Sequence, residues 1–341
     1  RERNYLNVDG IEENLARQIY SGIEDTIGTQ PLNYFNTEFH NKHFSVQYMS
    51  WVEYGGTYAR VLMDDGFHFL KAGATLKVLQ GLGAAYLFVD DLDYKFTHHD
   101  TLSLFNTDVD YGHSTNFEYD DKNFKYKYIS NIAFGGDLGV VYEYRPEREK
   151  YKYDMNGEAN LDMKWKDKYK LKVGLSVLDI GAIKYKKGQY SNNFHADIDN
   201  WFIHDLNFSG SYDDTTATGQ DTTIETGVPP VQSWNDTLRK RFAFEEGNPY
   251  FSMNLPTTIN LSVDYNIWKT FYANITYSYA FQWSKNKNKV HDISTVSLSP
   301  RWDYKWFGVF MPLSYNSYRN FNIGLDLKLG PIIFGTNRLT P

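Results

Sequence analysis

Two adjacent groups of histidine and aspartate are the first candidates for chemistry in this sequence. His98, His99 and Asp100 are consecutive, and His113 follows thirteen positions after Asp100 in the same polar region. Imidazole nitrogens and a carboxylate could together bind a transition metal. The histidines lack the i, i+4 spacing that puts two ligands on one face of a helix. We therefore predict a solvated polar loop here and no metal site.

A second group consists of carboxylates on two neighbouring stretches of the chain. The group contains Asp90, Asp91, Asp93, Asp108 and Asp110. Carboxylate oxygens are the ligands that Ca²⁺ prefers, but this spacing does not match the twelve-residue loop of an EF-hand. Surface carboxylates are the first interpretation, and a calcium site is the alternative.

A third group could support hydrolysis, which needs a nucleophile, a base and an orienting group. Ser262, Ser278 and Ser297 alternate with apolar residues, and His291 lies in the connection between two of these segments. No histidine shares a segment with any of the serines. We predict no catalytic residues, no cofactor and no enzymatic activity.

The segments that carry these residues alternate with a period of two. In the stretch 258–283 the odd positions are mostly large and apolar, whereas most even positions are small or polar. Successive side chains point to opposite faces of a strand, so the pattern predicts two β-strands broken at Trp268-Lys269-Thr270. Similar alternation recurs from about residue 44 onward and indicates about nine strands of the roughly 9–11 residues that a tilted membrane-spanning strand needs.

Composition excludes several classes of protein. The 341 residues contain no apolar run near the roughly 18–20 residues of a membrane helix, which excludes a helical membrane protein. Cysteine is absent, so a disulfide framework is excluded, and the net charge of −7 gives no basic surface for nucleic acid. The aromatic content of 17% is high for a soluble domain. A β-barrel remains compatible with the polar average, because half of each spanning strand faces a wet lumen.

The connections between the strands alternate in length, which is typical of an outer-membrane barrel with periplasmic short turns. Short turns occur near 64–66, 268–270 and 305–306, whereas 97–130 and 186–255 are long and polar and are predicted to be extracellular loops. A helix is predicted over 8–25, as a loop or plug element. We expect one domain over 1–341 that is truncated at both ends.

The sequence therefore predicts an all-β fold, an antiparallel transmembrane β-barrel with about 14 strands when complete. The polar face is predicted to line the lumen through Lys71, Thr75, Lys77, Asp137, Lys170, Lys172, Asn260, Asp264, Arg301, Asp303, Asp326 and Lys328. An interfacial aromatic girdle is predicted at Trp268, Phe271, Trp302, Tyr304 and Trp306. The alternative is a soluble β-sandwich with the apolar faces buried between two sheets.

Five segments of the sequence have a familiar pattern: "WVEYGGTYARVL" (51–62), "LKAGATLKVLQGLGAAY" (70–86), "FNTDVDYGHS" (105–114), "YKLKVGLSVLDIGAIKY" (169–185) and "FSMNLPTTINLSVDY" (251–265). They resemble a Bacteroidota outer-membrane β-barrel family of unknown function. That family is distantly similar to fatty-acid-channel-like barrels and to barrels associated with type IX secretion. The resemblance implies a location and a fold, and it supplies no catalytic residues.

Two functions follow as expectations. The mixed signs in the predicted lumen favour a filled barrel that acts as an accessory or structural subunit of an outer-membrane protein complex. The alternative is a channel or transporter for a small or hydrophobic solute. The expected partners are the lipid of a Gram-negative outer membrane and other outer-membrane proteins, with no nucleic acid and no cofactor.

Overall fold

The computed structural model describes most of the chain and is all-β, as the alternation predicts. The described residues are 1–10, 35–98, 101–117, 119–120, 123–124, 131–163, 166–202, 211–213, 223–225, 230–245, 247–281, 287–336 and 338–339. Strand dominates among them, and one α-helix is present. The all-β class is thus confirmed.

The regular elements have the following bounds. The strands are β1 (Glu2–Asp9), β2 (Glu38–Asp64), β3 (His68–His98), β4 (Thr101–His113), β5 (Tyr119–Asp120), β6 (Asn123–Phe124), β7 (Asn131–Tyr144), β8 (Lys152–Met155), β9 (Glu158–Asp162), β10 (Leu171–Lys186), β11 (Asn192–Phe202), β12 (Ser211–Asp213), β13 (Thr223–Glu225), β14 (Phe244–Glu245), β15 (Tyr250–Asn254), β16 (Thr258–Trp268), β17 (Phe271–Ala280), β18 (Thr295–Tyr304), β19 (Phe307–Phe310), β20 (Leu313–Asn316), β21 (Phe321–Ile323), β22 (Leu325–Leu329) and β23 (Ile332–Thr336). Helix α1 spans Pro230–Arg241, and 3-10 helices cover Thr115–Phe117 and Arg148–Tyr151.

The main sheet has 17 strands, and neighbouring strands pair antiparallel. In β16, Val263 lies opposite Val173 of β10 and opposite Ile275 of β17. Among the residues that the structure describes, no pairing joins β23 to β2, so closure of the sheet into a barrel is not observed. The structure therefore shows a many-stranded antiparallel sheet.

The chain divides into two compact units. Unit 1 contains Arg1–Glu53, Leu79–Ala133 and Ile183–Met253, and unit 2 contains Tyr54–Val78, Phe134–Ala182 and Asn254–Pro341. Four long strands, β2, β3, β7 and β10, contribute residues to both units.

Unit 1 buries its apolar side chains in the manner of a water-soluble domain. Strand β4 pairs with β3 on one side and with β11 on the other. Helix α1 contributes Leu238, and Phe242 just beyond it stacks on Phe194 with ring centroids 4.8 Å apart. A second cluster of buried residues contains Val89, Leu92, Tyr94 and Phe96. Nearly all fully buried large apolar side chains among the described residues belong to this unit.

Unit 2 has the opposite distribution, because many of its large apolar side chains are exposed, whereas the charged residues Lys77, Asp179 and Asp264 are buried. Leu261, Ile275 and Leu298 are 41%, 52% and 42% exposed, whereas Asp264 is 7% exposed. Neighbouring residues alternate in this way along β16, β17 and β18. The apolar face is therefore not packed against a second sheet. A soluble sandwich would require such packing.

Regular elements lie within the ranges of the two predicted long connections. The range 97–130 contains β4, and 186–255 contains β11, α1 and β15. The predicted helix over 8–25 begins on residues that end strand β1, and from residue 11 it lies outside the described residues. The charged segment after β7 forms the hairpin β8–β9.

Candidate functional site

The strand register places most of the predicted polar residues of unit 2 on one face of its sheet, here called the polar face. Lys172 lies opposite Asp264 across β10 and β16. Asp303 and Lys328 both lie opposite Gly308 of β19. Because the register joins these positions across neighbouring strands, their side chains share one environment. That this environment is a lumen remains a prediction.

A buried ion-pair cluster joins three strands of the polar face. Lys77 Nζ lies 2.7 Å from Oδ1 of Asp137 and 2.7 Å from Oδ1 of Asp179. The backbone N–H of Asp179 donates to Asp137 Oδ1 at 2.8 Å, and the Thr257 hydroxyl donates to the Asp179 carbonyl at 2.8 Å. Asp179 has a left-handed backbone (φ 57°) and lies within the register shift between Val177 and Ile180. Such a β-bulge re-aims a side chain, here toward the polar face.

A second cluster is centred on Asp264. Its Oδ2 accepts hydrogen bonds from Arg301 Nη1 at 2.7 Å and from the Tyr169 hydroxyl at 2.9 Å. Arg301 Nη2 also donates to the Tyr169 hydroxyl oxygen at 2.8 Å, and its guanidinium lies 4.5 Å from the ring centroid of Tyr272. Charge-assisted hydrogen bonds of this length are among the stronger ones in proteins. They stabilise a carboxylate that burial alone would disfavour.

Three further ion pairs lie on the polar face of unit 2. Glu143 contacts Lys172 Nζ at 3.3 Å and Arg145 Nη2 at 2.7 Å. Lys328 Nζ donates to Asp303 Oδ1 at 3.0 Å. Cations and carboxylates therefore neutralise one another at these positions, and neither sign dominates.

Thr75 and Asn260 make hydrogen bonds to uncharged groups, and Asp326 is described by its strand pairing. The hydroxyls of Thr75 and Thr57 are 2.9 Å apart, and Asn260 Nδ2 donates to the Thr258 hydroxyl at 3.2 Å. Asp326 lies opposite Gly335 of β23.

Lys170 does not join the polar set, in contrast to the prediction. It precedes the first residue of β10, so the strand alternation does not fix its direction. Its ammonium lies 4.9 Å from the ring centroid of Tyr265, an exposed residue of the apolar face. Lys71 follows the alternation of Lys77 but is exposed.

Sequence reasoning missed Asp179, Tyr169 and Arg145 as members of the polar clusters. Asp179 sits in the apolar context "VLDIG", where the following glycine is a weak signal for a bulge. Period-two alternation places Tyr169 on the same face as the apolar Leu171. Tyr169 lies before the first residue of β10, however, where the alternation does not hold. Arg145 follows the end of β7, where the strand alternation no longer assigns a side chain to a face.

The predicted aromatic girdle forms a continuous row on the apolar face of unit 2. Ring centroids lie 6.3 Å apart between Trp268 and Phe271, 6.4 Å between Phe271 and Trp302, and 6.3 Å between Trp302 and Tyr304. Trp306 is 68% exposed in the turn that follows. Trp268 and Phe271 face each other across one turn, and Tyr304 ends the strand before another.

The turn between β2 and β3 is closed by its own carboxylates. Asp65 Oδ1 accepts from the backbone N–H groups of His68 at 2.6 Å and Phe67 at 2.9 Å, and Asp64 Oδ1 accepts from that of Gly66 at 3.2 Å. The hydrogen bond from the backbone N–H of His68 is the main cause that lowers the pKa of Asp65. Arg148 Nη1 donates to the Asp65 carbonyl at 2.9 Å, which ties the inserted segment after β7 to this turn.

The whole chain was compared with known families and proteins. A family model described as "Family of unknown function (DUF5723)" matches residues 1–337. The chain belongs to this family. No curated protein and no solved structure matches it. The outer-membrane location suggested by the sequence resemblance remains a prediction, since the description of DUF5723 states no function.

In this DUF5723 member the candidate chemical groups of unit 1 form pairs. His195 Nδ1 lies 2.8 Å from Asp108 Oδ1, His40 Nδ1 lies 3.3 Å from Asp93 Oδ2, and the Tyr86 hydroxyl donates to Asp110 at 3.2 Å. Burial and the Asp110 carboxylate raise the pKa of Tyr86. Within the described part of the chain, no group of three or more His, Cys, Asp or Glu side chains is arranged to hold a metal ion.

The other predicted candidates have ordinary surroundings or lie outside the described residues. His99 and Asp100 fall outside them, and the His113 ring contacts the Ser114 carbonyl at 3.0 Å. Ser262 accepts a hydrogen bond from Asn274 Nδ2 at 3.0 Å. None of the helices in the described ranges has the length and apolar character to cross a membrane.

Proposed function

We propose that this DUF5723 protein is an integral β-barrel of a Gram-negative outer membrane and acts as an accessory or structural subunit of an outer-membrane protein complex. The proposed role is non-enzymatic. The observation that supports it best is the inverted burial in unit 2.

The exposed apolar face of unit 2 is too extensive for a surface that meets water. Nearly all exposed large apolar side chains among the described residues lie in this unit, including Tyr277, Leu327 and Phe334 at 45%, 45% and 60% exposure. Monomeric soluble proteins rarely expose contiguous apolar patches larger than a few hundred Å². Lipid contact provides an apolar environment for this face.

Strand length and the aromatic row support the same proposal. Strands β16, β17 and β18 have 11, 10 and 10 residues, which match the roughly 9–11 residues of a tilted transmembrane strand. Tryptophan and tyrosine concentrate where a membrane meets water, and the row from Trp268 to Tyr304 runs along one end of these strands.

Closure of the sheet is part of the proposal. Unpaired backbone groups cost several kcal/mol each in a bilayer, so spanning sheets close into barrels. In the membrane, we propose that residues 54–64 of β2 and strand β23 acquire the second neighbour that they lack among the described residues.

The paired charges on the polar face support a structural role over a selective pore. Ion-selective pores are lined by rings of one charge sign. Here Arg301 bonds to Asp264, and Lys77 lies between two aspartates. Such pairs hold neighbouring strands together and reduce the net field of the face.

The membrane assignment is tested by two neighbouring residues that point to opposite faces of β18. Leu298 is 42% exposed on the apolar face, and Ser297 lies on the polar face between Thr276 and Ser314. In lipid vesicles we expect Leu298→Arg to lower the free energy of unfolding by about 2–4 kcal/mol if it sits at the bilayer midplane. Ser297→Arg should cost much less, because a wet interior can solvate the charge. Urea unfolding followed by tryptophan fluorescence measures both.

A soluble protein would show no large penalty for Leu298→Arg. An exposed leucine in water can be replaced by arginine with a change within about 0.5 kcal/mol. Equal effects of the two variants, or refolding of the unmodified chain in buffer without lipid or detergent, would contradict the membrane assignment.

The role is tested by conductance and native size. We expect the protein extracted in mild detergent to migrate above the mass of one chain, and purified protein in planar bilayers to conduct little. A steady conductance together with monomeric migration would favour the alternative, a channel or transporter for a small or hydrophobic solute.

A further inference from the structure

Three lysines of unit 2 lie against aromatic rings of the exposed apolar face. Lys170 Nζ is 4.9 Å from the ring centroid of Tyr265, and Lys269 Nζ is 4.8 Å from that of Trp268. Lys305 Nζ is 5.4 Å from the ring centroid of Tyr304. The three rings are 45%, 60% and 46% exposed. Each lysine therefore adds a cation to the edge of a surface that is otherwise apolar.

The three lysines lie at the same end of the sheet. Lys170 immediately precedes β10, Lys269 lies in the turn from β16 to β17, and Lys305 lies in the turn from β18 to β19. Strands β10 and β16 are antiparallel and β18 runs parallel to β16, so the start of β10 and the ends of β16 and β18 coincide. We call Lys170, Lys269 and Lys305 the lysine belt.

The backbone conformation does not favour lysine at two of the three positions. Lys269 and Lys305 have left-handed backbones, with φ of 46° and 47°. Glycine, asparagine and aspartate adopt this region most easily, and other residues pay a conformational cost there. Asn266 Nδ2 donates to the Lys269 carbonyl at 2.9 Å, which helps to hold the turn. Lysine at both positions thus adds charge where the backbone favours another residue.

The nearby carboxylates of the polar face are engaged by other cations. Asp264 accepts from Arg301 at 2.7 Å, and Asp303 accepts from Lys328 at 3.0 Å. At the β2–β3 turn, Asp64 lies 3.9 Å from Arg145. Lys170 Nζ donates to the Ile267 carbonyl at 3.3 Å, and the ammonium groups of all three lysines lie beside aromatic rings of the apolar face.

We propose that the lysine belt binds the anionic headgroups of glycerophospholipids in the leaflet at this end of the strands. A basic residue near a membrane surface contributes about 1 kcal/mol to the binding free energy of anionic lipid, which corresponds to about fivefold in affinity. The aromatic rings below it lie at the level of the headgroups. This inference rests on the proposed membrane function and specifies the lipid that unit 2 contacts.

The native tryptophans beside the belt allow a direct test. Trp268, Trp302 and Trp306 lie at this end of the sheet, and brominated lipids quench tryptophan fluorescence on contact. We would compare quenching by brominated phosphatidylglycerol and brominated phosphatidylcholine in mixed vesicles. With about fivefold for each of the three lysines, we expect about a hundredfold tighter binding of phosphatidylglycerol at low salt, and a smaller preference as salt screens the charges.

The test variant is Lys170→Gln/Lys269→Gln/Lys305→Gln, and the matched control is Lys184→Gln. Lys184 lies 4.6 Å from the ring centroid of the exposed Tyr250, but in unit 1. We expect the triple variant to lose the lipid preference and the control to keep it. The single change Lys269→Gln should reduce the lipid preference by about fivefold. This variant replaces the triple variant in the test if the triple variant folds poorly.

The possible results separate the two proposals. Strong quenching by both lipids without preference would overturn the lysine belt and leave the membrane assignment intact. Retention of the preference in the triple variant would also overturn the belt. Quenching by neither lipid would overturn both proposals.

Discussion

Asp264 shows at the residue scale why unit 2 depends on paired charges. Its side chain is 10% exposed and that of Arg301 is 18% exposed, so each group has lost most of its contact with water. Removal of one partner from a buried pair leaves the other charge without compensation, and this costs far more than the loss of an exposed pair.

A double-mutant cycle tests this dependence. We expect Asp264→Ala and Arg301→Ala each to lower the free energy of unfolding by about 3–5 kcal/mol. The double variant should cost clearly less than the sum, because no unpaired charge remains. Urea unfolding of the four proteins in vesicles measures the coupling.

The control is the exposed pair between Lys150 and Glu147, whose side chains are 69% and 58% exposed. Glu147→Gln should change stability by less than about 1 kcal/mol. Additive effects of the Asp264 and Arg301 changes would show that the two side chains act independently.

At the scale of the elements, strand ends and bulges decided which side chains meet. The register shift in β10 lets Asp179 reach Lys77, although "VLDIG" suggests a continuous apolar strand. Lys170 and Tyr169 precede β10, and the first contacts the apolar face while the second bonds to Asp264. Alternation is reliable within a strand and says little about residues just outside it.

Strand β4 was the element that was hardest to predict from the sequence. Its residues "TLSLFNTDVDYGH" include Thr, Asn and Asp, which are typical of loops, and the range 97–130 was predicted as one long connection. Its pairing with both β3 and β11 forms the strand despite that composition. Helix α1 has clearer local signals, with Pro230 at its first position and Arg239, Lys240 and Arg241 in its last turn.

At the scale of the whole molecule, the two units bury opposite kinds of side chain. Trp51, Tyr94 and Tyr185 are almost completely buried in unit 1, whereas Tyr58, Leu76 and Phe134 are more than 70% exposed in unit 2. The two distributions support the proposed membrane function, which would place water around unit 1 and lipid around the apolar face of unit 2.

Single cysteines can report the two solvents, because the chain has no cysteine of its own. Asp197 is exposed in unit 1, and Tyr277 is 45% exposed in unit 2. In lipid nanodiscs, which leave both membrane sides accessible, we expect Asp197→Cys to react rapidly with a charged maleimide. Tyr277→Cys should stay protected, because lipid excludes the reagent.

Unfolding in urea without lipid should make both cysteines react, which controls for the intrinsic reactivity of each thiol. Equal labelling of the two variants in the folded state would contradict a lipid environment for unit 2.

The amino-acid sequence by itself determined the all-β class and the two faces of the strands in unit 2. Period-two alternation is local, and it holds wherever a strand forms, so Leu261, Ile275 and Leu298 could be assigned to one face without a structure. The aromatic row could also be predicted, because Trp268, Phe271, Trp302 and Tyr304 sit at the ends of alternating segments next to short turns.

Only the tertiary structure decided which charges pair and how the chain divides. Lys77 meets Asp179 across 102 residues, and Asp264 meets Arg301 across 37 residues. Such contacts depend on strand order, register and a bulge, which are set by the packing of the whole sheet and not by local pattern. For the same reason the buried core of unit 1 could not be separated from the exposed apolar face of unit 2 by sequence alone: both are built from alternating strands, and the difference lies in what each face packs against.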